Sequence, residues 1–228
     1  METINKEELI SIRDINKRFN EKVLFKDFNI DFHKNKVNCI IGKSGCGKST
    51  LLNIISGIIP NDHEDFETIE KYGVSYIFQD DRLIDWLTVG ENITLVVKKL
   101  YNKKMSDELC EKYLDSVGIK EYKNYYPQML SGGIRQRVNM ARAFIYPSQI
   151  IIMDEPFKSI DVINKEIIIS NLKTMLEKEE RTVLFVTHDI DEALLLSDKI
   201  YILGNSPVKV KKILEDNMVT RDEICKLI

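Results

Sequence analysis

Eight consecutive residues, Gly42-Lys43-Ser44-Gly45-Cys46-Gly47-Lys48-Ser49, have the types and spacing needed to hold a triphosphate. They follow the apolar run 37–41 and lead into Thr50-Leu51-Leu52-Asn53-Ile54-Ile55, so the segment reads strand, glycine loop, helix. Gly42, Gly45 and Gly47 let the backbone turn tightly and aim successive N–H groups, with the helix start, at phosphate oxygens. Lys48 would bridge the β- and γ-phosphates and the Ser49 hydroxyl would ligate Mg²⁺. Lys43, Ser44, Cys46 and Thr50 complete the cradle. Cys46 reads as a small tolerated side chain rather than a redox sensor.

A second anion-binding surface, one that the first loop cannot use alone, lies in Leu130-Ser131-Gly132-Gly133-Ile134-Arg135-Gln136-Arg137. Ser131, Gly132 and Gly133 open a helix whose N–H groups and positive end can face a phosphate. Asp154 and Glu155 end the apolar run Ile150-Ile151-Ile152-Met153, a doubly buried parallel strand whose C-terminal edge is where such sheets place ligands. Alone, an acidic pair at a strand end is usually solvated surface. Beside a phosphate loop it becomes chemistry: Asp154 would hold Mg²⁺ through water, and Glu155 would polarise the attacking water. His188 ends the strand-like run 183–187 and could hydrogen-bond the γ-phosphate or that water, whereas His33 and His63 read as structural. Gln79 closes another strand and offers an uncharged amide that reaches Mg²⁺ or water without repelling phosphate.

The elements that must position these groups follow from periodicity. Leu9–Ile15 and Val23–Phe32 read as strands, the latter alternating Phe28, Ile30 and Phe32 on one face. Gly57 and Pro60 close the segment after the glycine loop and its helix, and 61–70 reads as loop. Strands are expected over Tyr72–Gln79, Gln149–Met153, Thr182–Thr187 and Lys199–Leu203. Helices are expected over Ser106–Val117, Val162–Lys178 and Ile190–Leu196, with a capping box at Thr88-Val89-Gly90-Glu91. Alternating strands and helices imply a parallel sheet, here with a helical insertion.

Composition bounds the partners. A chain of 228 residues with 43% hydrophobic content can bury a full core. Its 33 basic and 36 acidic residues are interspersed, which is no nucleic-acid footprint. The polar, acidic start is not a signal peptide, and no apolar run approaches the ~20 residues of a membrane span, so contact with a bilayer is expected through another protein. Cys39, Cys46, Cys110 and Cys225 lack metal-ligand spacing and read as reduced thiols.

Six motifs in order, the glycine loop 42–49, Gln79, 130–136, 150–155, Ser159-Ile160-Asp161 and His188, make the chain resemble the nucleotide-binding subunit of an ATP-binding cassette (ABC) transporter. The resemblance implies an α/β P-loop NTPase (RecA-like) core with a mainly parallel sheet, a small antiparallel β portion and an inserted helical signature subdomain. Residues 1–82 and 147–228 would form the catalytic core and 83–146 the helical part of a single domain. It also implies an ATPase using ATP and Mg²⁺, in which two copies meet head to tail and each ATP lies between one P-loop and the other copy's Ser131, Gly132 and Gly133. Asp161 would lie at that interface. Phe19, 29 positions before Lys48, would stack on adenine unless it is a core residue at a strand end.

A finer likeness, Phe78-Gln79-Asp80-Asp81-Arg82-Leu83-Ile84-Asp85-Trp86-Leu87, is to importers of the nitrate, sulfonate, taurine and thiamine-precursor type. It implies an integral-membrane permease, an extracellular solute-binding protein reached through it, and a peripheral position on the cytoplasmic face of the membrane. Residues 80–87 would receive a permease helix, or Trp86 would be subdomain core. Asp85 replaces the family's usual proline, segment 60–78 is short, and Lys158 and Ser159 stand where small residues are common. An ABC ATPase of an exporter or other membrane complex, serving export or membrane remodelling, shares every catalytic group and stays open as an alternative. A DNA-maintenance or translation ATPase is disfavoured, because Lys48 and Ser131 lie only 83 positions apart and leave no space for a coiled-coil insertion.

Overall fold

Apolar residues alternate along Leu9–Phe19 (β1) and Lys22–His33 (β2), which pair antiparallel with Ile10 opposite Phe32 and Ile12 opposite Ile30. Strict alternation would send Ile15 outward, yet it is fully buried. A register shift between Ile12 and Ile15 explains this: Asp14 takes a left-handed φ of 58°, and the extra residue returns Ile15 to the core face.

The computed structural model describes residues 8–158, 160, 162–204, 207–215 and 219–228, with 162–164 described by backbone only. After β2 come β3 (Val37–Ile41), α1 (Lys48–Ile55), β4 (Val74–Ile77), α2 (Val89–Thr94), α3 (Lys103–Ser116), α4 (Gly132–Ile145) and β5 (Ile150–Asp154). Then follow α5 (Val162–Glu177), β6 (Thr182–Val186), α6 (Ile190–Leu196), β7 (Lys199–Leu203), β8 (Val210–Glu215) and α7 (Arg221–Leu227). Contacts divide them into two compact units, one running to Val74 and resuming at Arg181, the other Ser75–Glu180.

In the first unit β3 lies between β6 and β7, parallel to both, and β8 adds antiparallel to β7. Both flanks being occupied, β3 is apolar except for Asn38, fully buried. Its amide donates to the carbonyls of His33, Lys36 and Val183, and its oxygen accepts from the His33 amide and the Tyr201 hydroxyl. A buried polar group so fully satisfied fixes the strand rather than weakening it. Phe32 meets Tyr201 edge to face, joining the antiparallel pair to the parallel strands.

In the second unit, α2 and α3 pack on α4, whose Val138, Ala141, Phe144 and Ile145 are buried. The capping box at Thr88 is present in both directions: the hydroxyl accepts from the Glu91 amide at 3.3 Å and the Glu91 carboxylate accepts from the Thr88 amide at 2.8 Å. Thr88→Ala should therefore lower unfolding stability by about 1 kcal/mol in a urea titration, and a change below a few tenths would show the cap to be idle.

Differences from the sequence expectation sit at element ends and in two additional elements. The strand expected over Tyr72–Gln79 is only Val74–Ile77, because Ile69–Tyr72 forms a 3₁₀ turn closed by Gly73 at φ 65°. Helix α3 starts three residues before Ser106, where the Asn102 side chain accepts from the Met105 amide. β8 and α7 were not expected at all; β8 is mostly exposed and rich in lysine, so it carries no clean alternation.

Candidate functional site

The first unit holds the phosphate loop. β3 delivers the chain at Gly42, where a Cβ would stand 3.0 Å from the Leu203 carbonyl oxygen, so β7 would have to give way to a side chain there. Gly47 sits at φ 107° as the residue before α1, a conformation other residues rarely adopt. No side chain caps α1 and no acidic residue lies in its first turn, which leaves a helix start suited to an anion.

Lys48 is 5% exposed, and its ammonium donates to the carbonyls of Gly42 at 2.9 Å and Lys43 at 3.2 Å. Among the described residues no carboxylate pairs with it. A buried ammonium held by carbonyl dipoles alone is a costly arrangement that an incoming anion relieves. Lys43, Ser44 and Gly45 face solvent, Ser49 and Thr50 are partly exposed, and Cys46 is buried. Phe19 is 46% exposed at the end of β1, with the Lys17 ammonium 5.8 Å from its ring centre, so it is not a core residue.

His188 is exposed two residues after the end of β6. The residues around it are fixed: the buried Thr187 hydroxyl donates to Glu192 at 2.6 Å and accepts from the Asp189 amide at 3.0 Å. The Asp189 carboxylate in turn caps α6 by accepting from the amides of Asp191 and Glu192. Sequence reasoning named the histidine and missed this support, whose signal is the Thr-His-Asp spacing with a glutamate three residues on.

In the second unit Asp154 is buried at the end of β5, and Glu155 turns sharply at φ 45°. The turn closes where the Lys158 amide donates to the Glu155 carbonyl at 3.1 Å, and the Lys158 ammonium lies 3.5 Å from the Glu155 carboxylate. The departure at Lys158 thus places a cation on the candidate base. Burial, then the charge of Asp154, raises the Tyr76 phenol well above its ordinary value. Gln79 is exposed just beyond β4.

Ser131 is the N-cap of α4, its hydroxyl accepting from the Ile134 amide at 3.4 Å. A Cβ on Gly132 would meet nothing within 4 Å, so this glycine is not required by its own protomer. From the same helix Gln136 donates to the Pro156 carbonyl, joining α4 to the turn that presents Glu155. Trp86 is 79% exposed, which decides against subdomain core. Ser159 and Asp161 lie outside the described residues.

The family model described as "ABC transporter" matches residues 25–158. The chain is 36% identical over 220 residues, 92% of this chain and 86% of the relative, to the aliphatic sulfonates import ATP-binding protein SsuB of Bacillus thuringiensis subsp. konkukian. It is 38% identical over 194 residues, covering 81% of this chain and 71% of the relative, to the nitrate import ATP-binding protein NrtD of Synechococcus elongatus. Among solved structures, the dimeric post-hydrolysis state of the ATP-binding cassette MJ0796 with ADP and Pi superposes at a TM-score of 0.78. That match has 26% identity over 92% of this chain and 100% of the other.

Proposed function

We propose that this chain, which belongs to the ABC transporter family, is the ATP-hydrolysing subunit that powers import of a small solute by ATP-driven, head-to-tail dimerisation. The observation that carries the nucleotide part is the buried Lys48 ammonium, paired with carbonyls and, among the described residues, with no acid, at the start of an uncapped helix. The import part is supported by relatives named for import of sulfonates and nitrate, which makes an oxyanion of that class the first solute to test.

The proposed roles follow the motif order. Phe19 stacks on adenine; Gly42, Lys43, Ser44, Gly45, Cys46, Gly47, Lys48, Ser49 and Thr50 cradle the phosphates; Ser131, Gly132 and Gly133 receive the nucleotide of the second copy, with Asp161 beside them. Glu155 takes the proton of the attacking water, His188 donates to the γ-phosphate, and Gln79 orients the water. Ser49, Gln79 and Asp154 would hold Mg²⁺, which when bound neutralises phosphate charge. One carboxylate, one hydroxyl and one amide fit an ion shared with substrate phosphates. By this reading 1–82 and 147–228 act as the catalytic core and 83–146 as the helical part of one domain.

The partners proposed are an integral-membrane permease and, through it, an extracellular solute-binding protein, placing the chain peripherally on the cytoplasmic face of the membrane. Among the described residues no helix is long and apolar enough to cross a membrane. Residues 80–87, with Trp86 standing 79% exposed, are the surface offered to the permease. Two results test the proposal. The chain should co-purify from detergent-solubilised membranes with a multi-spanning protein, and sulfonates or nitrate should raise the melting temperature of the cognate binding protein. Purification without any membrane partner would refute the transport role. Lys48→Ala should weaken ATP binding about 10- to 100-fold by titration calorimetry, the loss of a buried charge-assisted contact; unchanged affinity would overturn the cradle.

A further inference from the structure

We infer that Arg135, on the helix that the signature glycines open, is a positioning residue for Gln79, an inference that rests on the role proposed above for Gln79. Three residues of α4, Arg135, Asn139 and Arg142, have the spacing i, i+4, i+7 that puts them on one helix face, and all three reach segment 78–82.

Arg135 grips Asp81 with both prongs of its fork, Nε to Oδ2 at 2.7 Å and Nη2 to Oδ1 at 3.0 Å. Its remaining Nη1 donates to the Pro127 carbonyl at 3.1 Å. Asn139 donates to the Phe78 carbonyl at 3.3 Å, and Arg142 donates to the carbonyls of Asp81 at 2.6 Å and Arg82 at 2.9 Å. The backbone is thereby pinned on both sides of Gln79, at Phe78 before it and at Asp81 and Arg82 after it. The Gln79 side chain itself stays at the surface.

The segment is also closed on itself. Arg82 takes φ 48° and lays its guanidinium 3.7 Å from the centre of the Phe78 ring, which stacks on Tyr76. Helix α4 is the rigid member, because its opposite face is core; the loop is the member being held. The Arg135 and Asp81 side chains are 28% and 21% exposed, so the fork is sheltered from water and worth more than a surface pair. Burial opposes ionisation of Asp81, but its hydrogen bond to Arg135 overcomes this and holds the carboxyl below its ordinary range.

Hydrogen exchange on the nucleotide-free protein tests the geometry directly. The Leu83 amide donates to Asp81 Oδ1 at 3.1 Å, so Arg135→Gln should speed its exchange about tenfold while amides in the middle of α4 keep their rates. Turnover tests the consequence. Arg135→Gln and Asp81→Asn should each lower kcat about tenfold with ATP affinity unchanged, since a displaced group costs rate and the phosphate loop is untouched. Arg135→Lys, which keeps the charge without the fork, should lose about threefold. Because Arg135 acts through Gln79, the double variant Arg135→Gln with Gln79→Ala should be no slower than Gln79→Ala alone. Losses that multiply in the double variant, or wild-type exchange at Leu83 in Arg135→Gln, would overturn the inference and leave the ATPase reading intact. A Gln79→Ala variant at full kcat would instead remove the role of Gln79, and this inference with it.

Discussion

Glu155→Gln should bind ATP, accumulate as a dimer that survives gel filtration, and release phosphate about 10²- to 10⁴-fold more slowly than the wild type. The amide keeps the size and turn geometry of the carboxylate but cannot accept a proton, and that range is what a positioned general base contributes. The turn itself does not depend on the charge, because the Lys158 amide closes it on the Glu155 carbonyl. The Lys158 contact at 3.5 Å is weakened, and with Lys158 46% exposed such a pair contributes no more than about 1 kcal/mol to folding. Loss of turnover without loss of fold is therefore the expected pattern. By the proposed mechanism the dimer should persist, because ATP would adhere the two copies and hydrolysis would be the step that weakens adhesion. Phosphate release and light scattering in the presence of ATP read the two effects separately. A hydrolysis rate within about tenfold of wild type would take Glu155 out of the base role.

What the sequence disclosed and what it hid have a common physical origin. Local rules carried the phosphate loop, the capping box at Thr88 and the N-terminal end of α4, since each is set by residues within a few positions of one another. The buried strands β3, β5, β6 and β7 were legible because burial on both faces demands continuous apolar runs. Long-range choices were not legible. Nothing near Ile15 announces that Asp14 will bulge, and β8 exists because β7 offers it an edge, not because its own lysine-rich pattern asks for a strand. Trp86 is the clearest case at the site. An isolated tryptophan in an apolar stretch fits a core or a contact surface equally, and only its exposure separates the two. The Arg135 fork was hidden for the same reason: its partner Asp81 lies 54 positions earlier in the chain.

Gly132→Asp separates the protomer from the pair more sharply than any other change. Within one copy the substitution is harmless on three counts. A Cβ at Gly132 meets nothing within 4 Å, and its φ is not left-handed. Gly132 is the first residue of α4, whose first turn contains no acidic residue, so an aspartate there adds favourable charge to the positive helix end. It also replaces a glycine by aspartate in a helix, worth only about a few tenths of a kcal/mol. Urea denaturation of the variant should thus match or exceed the wild-type midpoint. Between copies the same carboxylate would stand where the proposal brings the other protomer's triphosphate. Like charges brought together across an interface cost several kcal/mol, so ATP-driven association should weaken at least about a hundredfold. Made in the Glu155→Gln background, where the dimer otherwise persists, the variant should elute as a monomer with ATP bound, and Gly132→Ala should be intermediate because it adds bulk without charge. An intact, ATP-saturated Gly132→Asp protein that dimerises with undiminished affinity would mean that the signature helix does not face the nucleotide, and the glycine would then have no account in either copy.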